Sequence, residues 1–104
     1  MAKSNIDINE GTDYTFFIVP ENDIADTITV RVRLESGSGT GTQIGSISSA
    51  TSDAKNDIAI ETSTLSSGVY LLEVWQDYGG SNQALLIPTE GNTVTLTVSD
   101  AFSV

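Results

Sequence analysis

The chain contains no cysteine and no histidine. Without cysteine there is no disulfide framework and no thiolate metal site. Without histidine the usual general base at neutral pH and the commonest metal ligand are both missing. Ser–His and Cys–His nucleophile systems cannot be assembled either. Positive charge is scarce: Lys3, Arg31, Arg33 and Lys55 stand against 14 acidic residues, for a formal net charge of −10. Phosphate backbones and anionic membrane surfaces both call for clustered cations, so neither nucleic acid nor membrane is an expected partner. No apolar run reaches the 18 residues of a membrane helix. The opening MAKSNIDINEG lacks the apolar core of a signal peptide, so assembly in a cytoplasm is the expectation.

What is present is the material of one domain. The 104 residues are 38% apolar, and serine, threonine and glycine together make about a third of the chain. That length supports a single domain over 1–104 with one core; the ends, 1–4 and 100–104, are expected to be mobile. In TITVRVRLE, Ile28, Val30, Val32 and Leu34 fall on one face, with Thr29, Arg31 and Arg33 on the other. That period of two is a half-buried strand. TVTLTV repeats it with Val94, Leu96 and Val98. Ile6 and Ile8 alternate in NIDINE, and DYTFFIVP follows a turn at Gly11 and ends at Pro20, which cannot donate to a ladder.

The middle reads less regularly. Ser36 to Gly41 is a loop by composition, and Ile44 and Ile47 break strict alternation, which predicts a bulge near Gly45. ATSDAKND is a turn, and DIAIE a short strand with Ile58 and Ile60 inward. VYLLEVWQ and QALLIP flank DYGGSN, where Gly79 and Gly80 are expected to take the positive φ of a hairpin. TEGN makes the last turn. The sum is an all-β fold, a single immunoglobulin-like or jelly-roll-like antiparallel β-sandwich of about eight short strands.

Leu65 to Tyr70 has the form L-x-x-G-x-Y at the head of an apolar strand. Many β-sandwiches place a tyrosine there, packed inward, with its hydroxyl bonded to the backbone upstream. Tyr70, Leu72 and Val74 then share the core face. Val69, Leu71, Glu73 and Trp75 share the other, so this strand is apolar on both sides, as covered strands are. The cover is either a loop of this chain, such as Ser36–Gly41, or a partner docked on Trp75 and Tyr78.

The carboxylate pairs Asp23/Asp26, Asp53/Asp57 and Glu73/Asp77 sit at turns or strand ends, where solvated turn residues explain them. DAKND lacks the spacing and glycine of a calcium loop. No catalytic, cofactor-binding or metal-ligating residue is therefore assigned, and the chain is not expected to be an enzyme.

The order of features carries a resemblance. It runs Ile6, Ile8, Gly11 and Tyr14 in I-x-I-x-x-G-x-x-Y, then the R-x-R of Arg31 and Arg33, and then the I-x-I of Ile58 and Ile60. Thr64-Leu65 leads to Gly68 and Tyr70, and an acidic hairpin and TVTL close the chain. This resembles the small β-sandwich domain at the N-terminus of baseplate upper proteins of tailed bacteriophages, and related virion proteins. It departs from that pattern at PENDIADT, where an L-T-G-type turn is usual. The resemblance implies a virion structural protein attached to capsid, tail or baseplate, assembled in the host cytoplasm, with other virion proteins as partners and several copies around a symmetry axis. The contact residues expected are Val69, Leu71, Trp75 and Tyr78, with Phe102 in the terminal DAFSV as a second contact. The alternative is a carbohydrate-binding module or adhesin that stacks sugars on Trp75 and Tyr78, beside Asn82.

Overall fold

A computed structural model describes residues 3–37, 41–88 and 92–99. Eight strands run through them: β1 Lys3–Asn9, β2 Tyr14–Ile18, β3 Ile28–Leu34, β4 Thr42–Ile47, β5 Asn56–Ile60, β6 Gly68–Gln76, β7 Ala84–Ile87 and β8 Thr93–Ser99. One 3₁₀ turn, Thr62–Thr64, precedes β6. The larger sheet has the order β1-β8-β6-β3-β4, with β7 also on β6. The smaller sheet is β2-β5.

The central strand is β6. Along one edge it pairs with β3 from Ile28↔Gln76 to Leu34↔Tyr70. The other edge is shared: β8 takes Gly68 to Leu71, and β7 takes Val74 to Gln76. The cis Ile87–Pro88 peptide bond stands at the step between β7 and β8. The core lies between the sheets, where Ile28, Val30, Leu72, Val74 and Leu96 meet Ile18, Ile58 and Ile60. These are the positions that period-two alternation marks.

Strands equivalent in order to B and E of an immunoglobulin domain face a G-F-C-C′ set, and the tyrosine before the midpoint of β6 behaves as that fold requires. The Tyr70 hydroxyl donates to the Ser66 carbonyl at 2.8 Å, four residues upstream, while the ring is buried. The protein is an immunoglobulin-like β-sandwich. Tyr70→Phe, which removes the bond and leaves the Ser66 carbonyl to solvent or unmet, is expected to cost about 1 kcal/mol in urea unfolding.

Four details differ from the sequence expectation. One strand pair is parallel: β1 runs beside β8 from Lys3↔Thr93 to Asn9↔Ser99. The turn after β1 carries the chain across the sandwich to β2 in the other sheet, so β1 forms no hairpin with its successor. Leu34, expected inward, is 46% exposed, because the chain turns away there and Gly37 N–H donates to the Leu34 carbonyl. In the β6–β7 hairpin the positive φ values fall on Asp77 (48°) and Gly79 (80°), not on Gly80. The Asp77 carboxylate meets the cost by accepting from Asn82 N–H at 2.8 Å. The first strand already begins at Lys3, inside the segment 1–4. The bulge is where it was expected: Val30 pairs with Gly45 and Arg31 with Gln43, leaving Ile44 as the extra residue. The turn at Thr89–Gly91 lies outside the described residues.

Each end of the sandwich is pinned by an aspartate. Asp13 accepts from Ser63 N–H at 3.1 Å, and Asp23 from Ser52 N–H at 2.8 Å. The Ser63 hydroxyl and amide lower the Asp13 pKa below its ordinary 3.8. The Ser52 amide, then its hydroxyl, do the same for Asp23. A carboxylate with a depressed folded pKa stabilises the fold above its unfolded value and loses that effect as pH falls through the folded one. The stability gap between wild type and Asp13→Asn/Asp23→Asn is therefore expected at pH 7 and to close below pH 3.8, read from urea midpoints across pH.

Candidate docking surface

The outward face of the larger sheet divides by strand. On β1 and β8 it is polar and satisfied internally: the Asn5 side-chain carbonyl accepts from the Thr95 hydroxyl at 2.6 Å and the Thr97 hydroxyl at 2.9 Å. On β6 it is apolar. Val69, Leu71 and Trp75 stand in one row because every second residue of the strand points outward.

Register sets the neighbours of that row. Leu71 lies opposite Arg33, Glu73 opposite Arg31, and Trp75 opposite Thr29 on β3. On the other side Trp75 lies opposite Leu85 of β7. Val69, Tyr78 and Leu85 are all exposed, while Leu71 and Trp75 are half-buried.

The β6–β7 turn brings Tyr78 back over the sheet. Its ring meets Trp75 edge-on, with centroids 5.5 Å apart and planes at 71°. The Arg31 guanidinium sits 4.3 Å from the Tyr78 ring centroid and also donates to the Gly41 carbonyl at 2.9 Å. Trp75 Nε1–H donates to Glu73 Oε1 at 3.0 Å. Arg31, Arg33, Leu71, Glu73, Trp75 and Tyr78 line a shallow cleft of about 230 Å³.

This geometry brings four of the five expected contact residues, Val69, Leu71, Trp75 and Tyr78, onto one surface. Phe102 lies outside the described residues. Of the loop Ser36–Gly41, residues 38–40 do too. Among the described residues the cover over Trp75 comes from Tyr78 of the hairpin. Four members of the patch were not assigned from sequence: Arg31, Arg33, Glu73 and Leu85. The alternation that turns Arg31 outward is plain in the sequence, but its place beside Trp75 follows from the β3–β6 register, which no local pattern encodes.

The arrangement suits a protein contact better than a sugar platform. Stacking a sugar needs an open ring face. Here the two rings are nearly perpendicular, and one face of Tyr78 is held by Arg31. Trp, Tyr and Arg together are the residue types that dominate binding energy at protein interfaces. The carboxylates nearby have structural tasks, Glu73 on Trp75 and Asp77 on Asn82. Among the described residues no group of three or more acidic side chains converges as a metal site would need.

Opposite Trp75 on β3, the Thr29 hydroxyl is buried with no hydrogen-bond partner among the described residues. Thr29→Val keeps the shape and removes the unmet hydroxyl, so a gain of about 1 kcal/mol in unfolding free energy is expected from urea denaturation.

No protein-family model and no curated protein sequence matches the chain. Among solved structures it is similar to the extracellular domain of the voltage-gated sodium channel beta4 subunit, described as forming parallel homodimers that explain its role in cell–cell adhesion. The identity is 14% and the TM-score 0.43, over 97% of this chain and 94% of that one.

Proposed function

We propose that this chain is a non-enzymatic structural protein of a tailed-bacteriophage virion, a docking or decoration domain that attaches to capsid, tail or baseplate through the outward face of β6. One observation carries the docking reading: the central strand is apolar on both sides, and among the described residues only the inner side is covered by a second sheet. Val69, Leu71 and Trp75 form the apolar row, and Tyr78 and Arg31 close it at the hairpin. The virion setting is supported by the order of motifs from Ile6 to the closing TVTL strand. The absence of cysteine and the net charge of −10, which keeps the surface off nucleic acid, fit the same setting.

Virion assemblies repeat by symmetry, so many copies per particle follow from this reading. The test is immunogold electron microscopy of particles from a culture that makes the chain. Regular label on heads makes it a capsid decoration protein, and label at the tail tip makes it a baseplate adaptor. Particles without label overturn the virion reading.

A further inference from the structure

The two sheets differ in width. At about 4.8 Å per strand, a two-stranded sheet covers much less ground than the five-strand path it faces. Part of the inner side of the larger sheet is therefore left open. Leu86 and Ile87 of β7 point toward the core but are only half-buried. Across from them, Ile18 at the end of β2 and the segment Val19 to Ile24 form the other wall of a groove of about 530 Å³.

β2, whose last residue Ile18 stands in that wall, has one unpaired strand edge. Among the described residues β5 is the only ladder partner of Tyr14–Ile18, and no other backbone hydrogen bond reaches those residues. Alternate residues of an edge strand turn N–H and C=O away from their one neighbour. The apolar slot begins at Ile18, the last residue of that edge, so free main-chain donors and acceptors lead into it, the arrangement that strand addition uses.

The charge around the slot narrows the occupant. Glu21 and Asp23 line the groove, Asp26 is hydrogen-bonded to Gln76 on its wall, and among the described residues no lysine or arginine lines it. Lys55, in the turn just before β5, stands over the Phe17 ring on the outward side, 4.4 Å from its centroid. We propose that the slot takes an extended segment of a partner protein, with alternating apolar residues and flanking lysine or arginine, which adds to the free edge of β2 as a third strand. The apolar residues enter between Ile18 and Ile87, and the basic flanks meet Glu21 and Asp23. This surface is separate from the outward face of β6 and does not depend on the virion reading.

The probe is an eight-residue peptide of alternating threonine and valine with lysine at both ends, added to the isolated chain and followed by NMR. Slowed amide exchange at alternate positions of Tyr14–Ile18 is expected, with shift changes confined to Ile18–Ile24 and Leu86–Ile87. Val19 is 54% exposed, so Val19→Lys, which removes an apolar contact and repels the lysine ends, leaves the fold intact. That variant, and a probe with glutamate ends, should each bind at least about tenfold more weakly. Three results overturn the proposal: β2 edge amides already protected without peptide, no change at millimolar peptide, or equal binding of the glutamate-ended probe.

Discussion

Gly45→Ala is expected to lower the unfolding free energy by about 3 kcal/mol, a large share of what a domain of this size has in reserve. The reason is a backbone approach. A Cβ at position 45 would stand 2.7 Å from the Ala59 carbonyl oxygen and 3.0 Å from Ile60 Cγ2. The first of these is main chain, so relief requires β4 and β5 to move apart. That movement pulls on the bond from Glu61 N–H to the Ile44 carbonyl, 2.7 Å, which ties the two sheets along this edge. Ser46→Ala, one residue on and exposed, is the control and should stay within about 0.5 kcal/mol of wild type. A Gly45→Ala variant equal to that control in urea would mean that β5 does not pass this close to β4.

On the proposed virion role, Trp75→Ala is expected to weaken attachment to particles by about thirtyfold or more, the loss of one interface hot spot of about 2 kcal/mol. The substitution removes the ring on which Tyr78 rests edge-on and leaves the Glu73 carboxylate without its indole donor. Some stability goes with it, because Trp75 is half-buried opposite Thr29. Val69→Asp separates the two effects. Val69 is 38% exposed, so a charge there costs the fold little but places a carboxylate at the head of the contact row. Both variants should remain folded by circular dichroism at the assay temperature and both should fail to co-sediment with particles. Glycan binding by the wild type that disappears in Trp75→Ala would favour the sugar-stacking alternative instead.

What the sequence revealed follows from how local each feature is. Alternation placed Ile28, Val30, Val32, Ile58, Ile60, Leu72, Val74, Leu96 and Val98 in the core, because a strand's side-chain period is set by its own backbone. The L-x-x-G-x-Y stretch foretold the Tyr70 bond to Ser66, since both partners lie within five residues. The bulge at Ile44–Gly45 showed as a broken alternation. Features that depend on pairing between distant segments did not show. The parallel β1–β8 ladder joins opposite ends of the chain. The close approach at Gly45 depends on β5, and the stack of Arg31 on Tyr78 depends on the register of β3 against β6. Tyr78 itself was expected in the contact, but its position over Trp75 rests on the left-handed turn at Asp77, a residue type that only weakly signals that conformation.

The central claim is that the outward face of β6 is the surface that meets the particle. Its most direct test is site-specific photo-crosslinking in assembled particles, with a benzophenone amino acid placed either at Val69 on that face or at Ala59, exposed on the outer side of β5 in the smaller sheet and away from the free edge of β2. The account predicts a single dominant cross-linked product from position 69, to a virion protein, and none from position 59. Cross-links from position 59 with none from position 69 would contradict it.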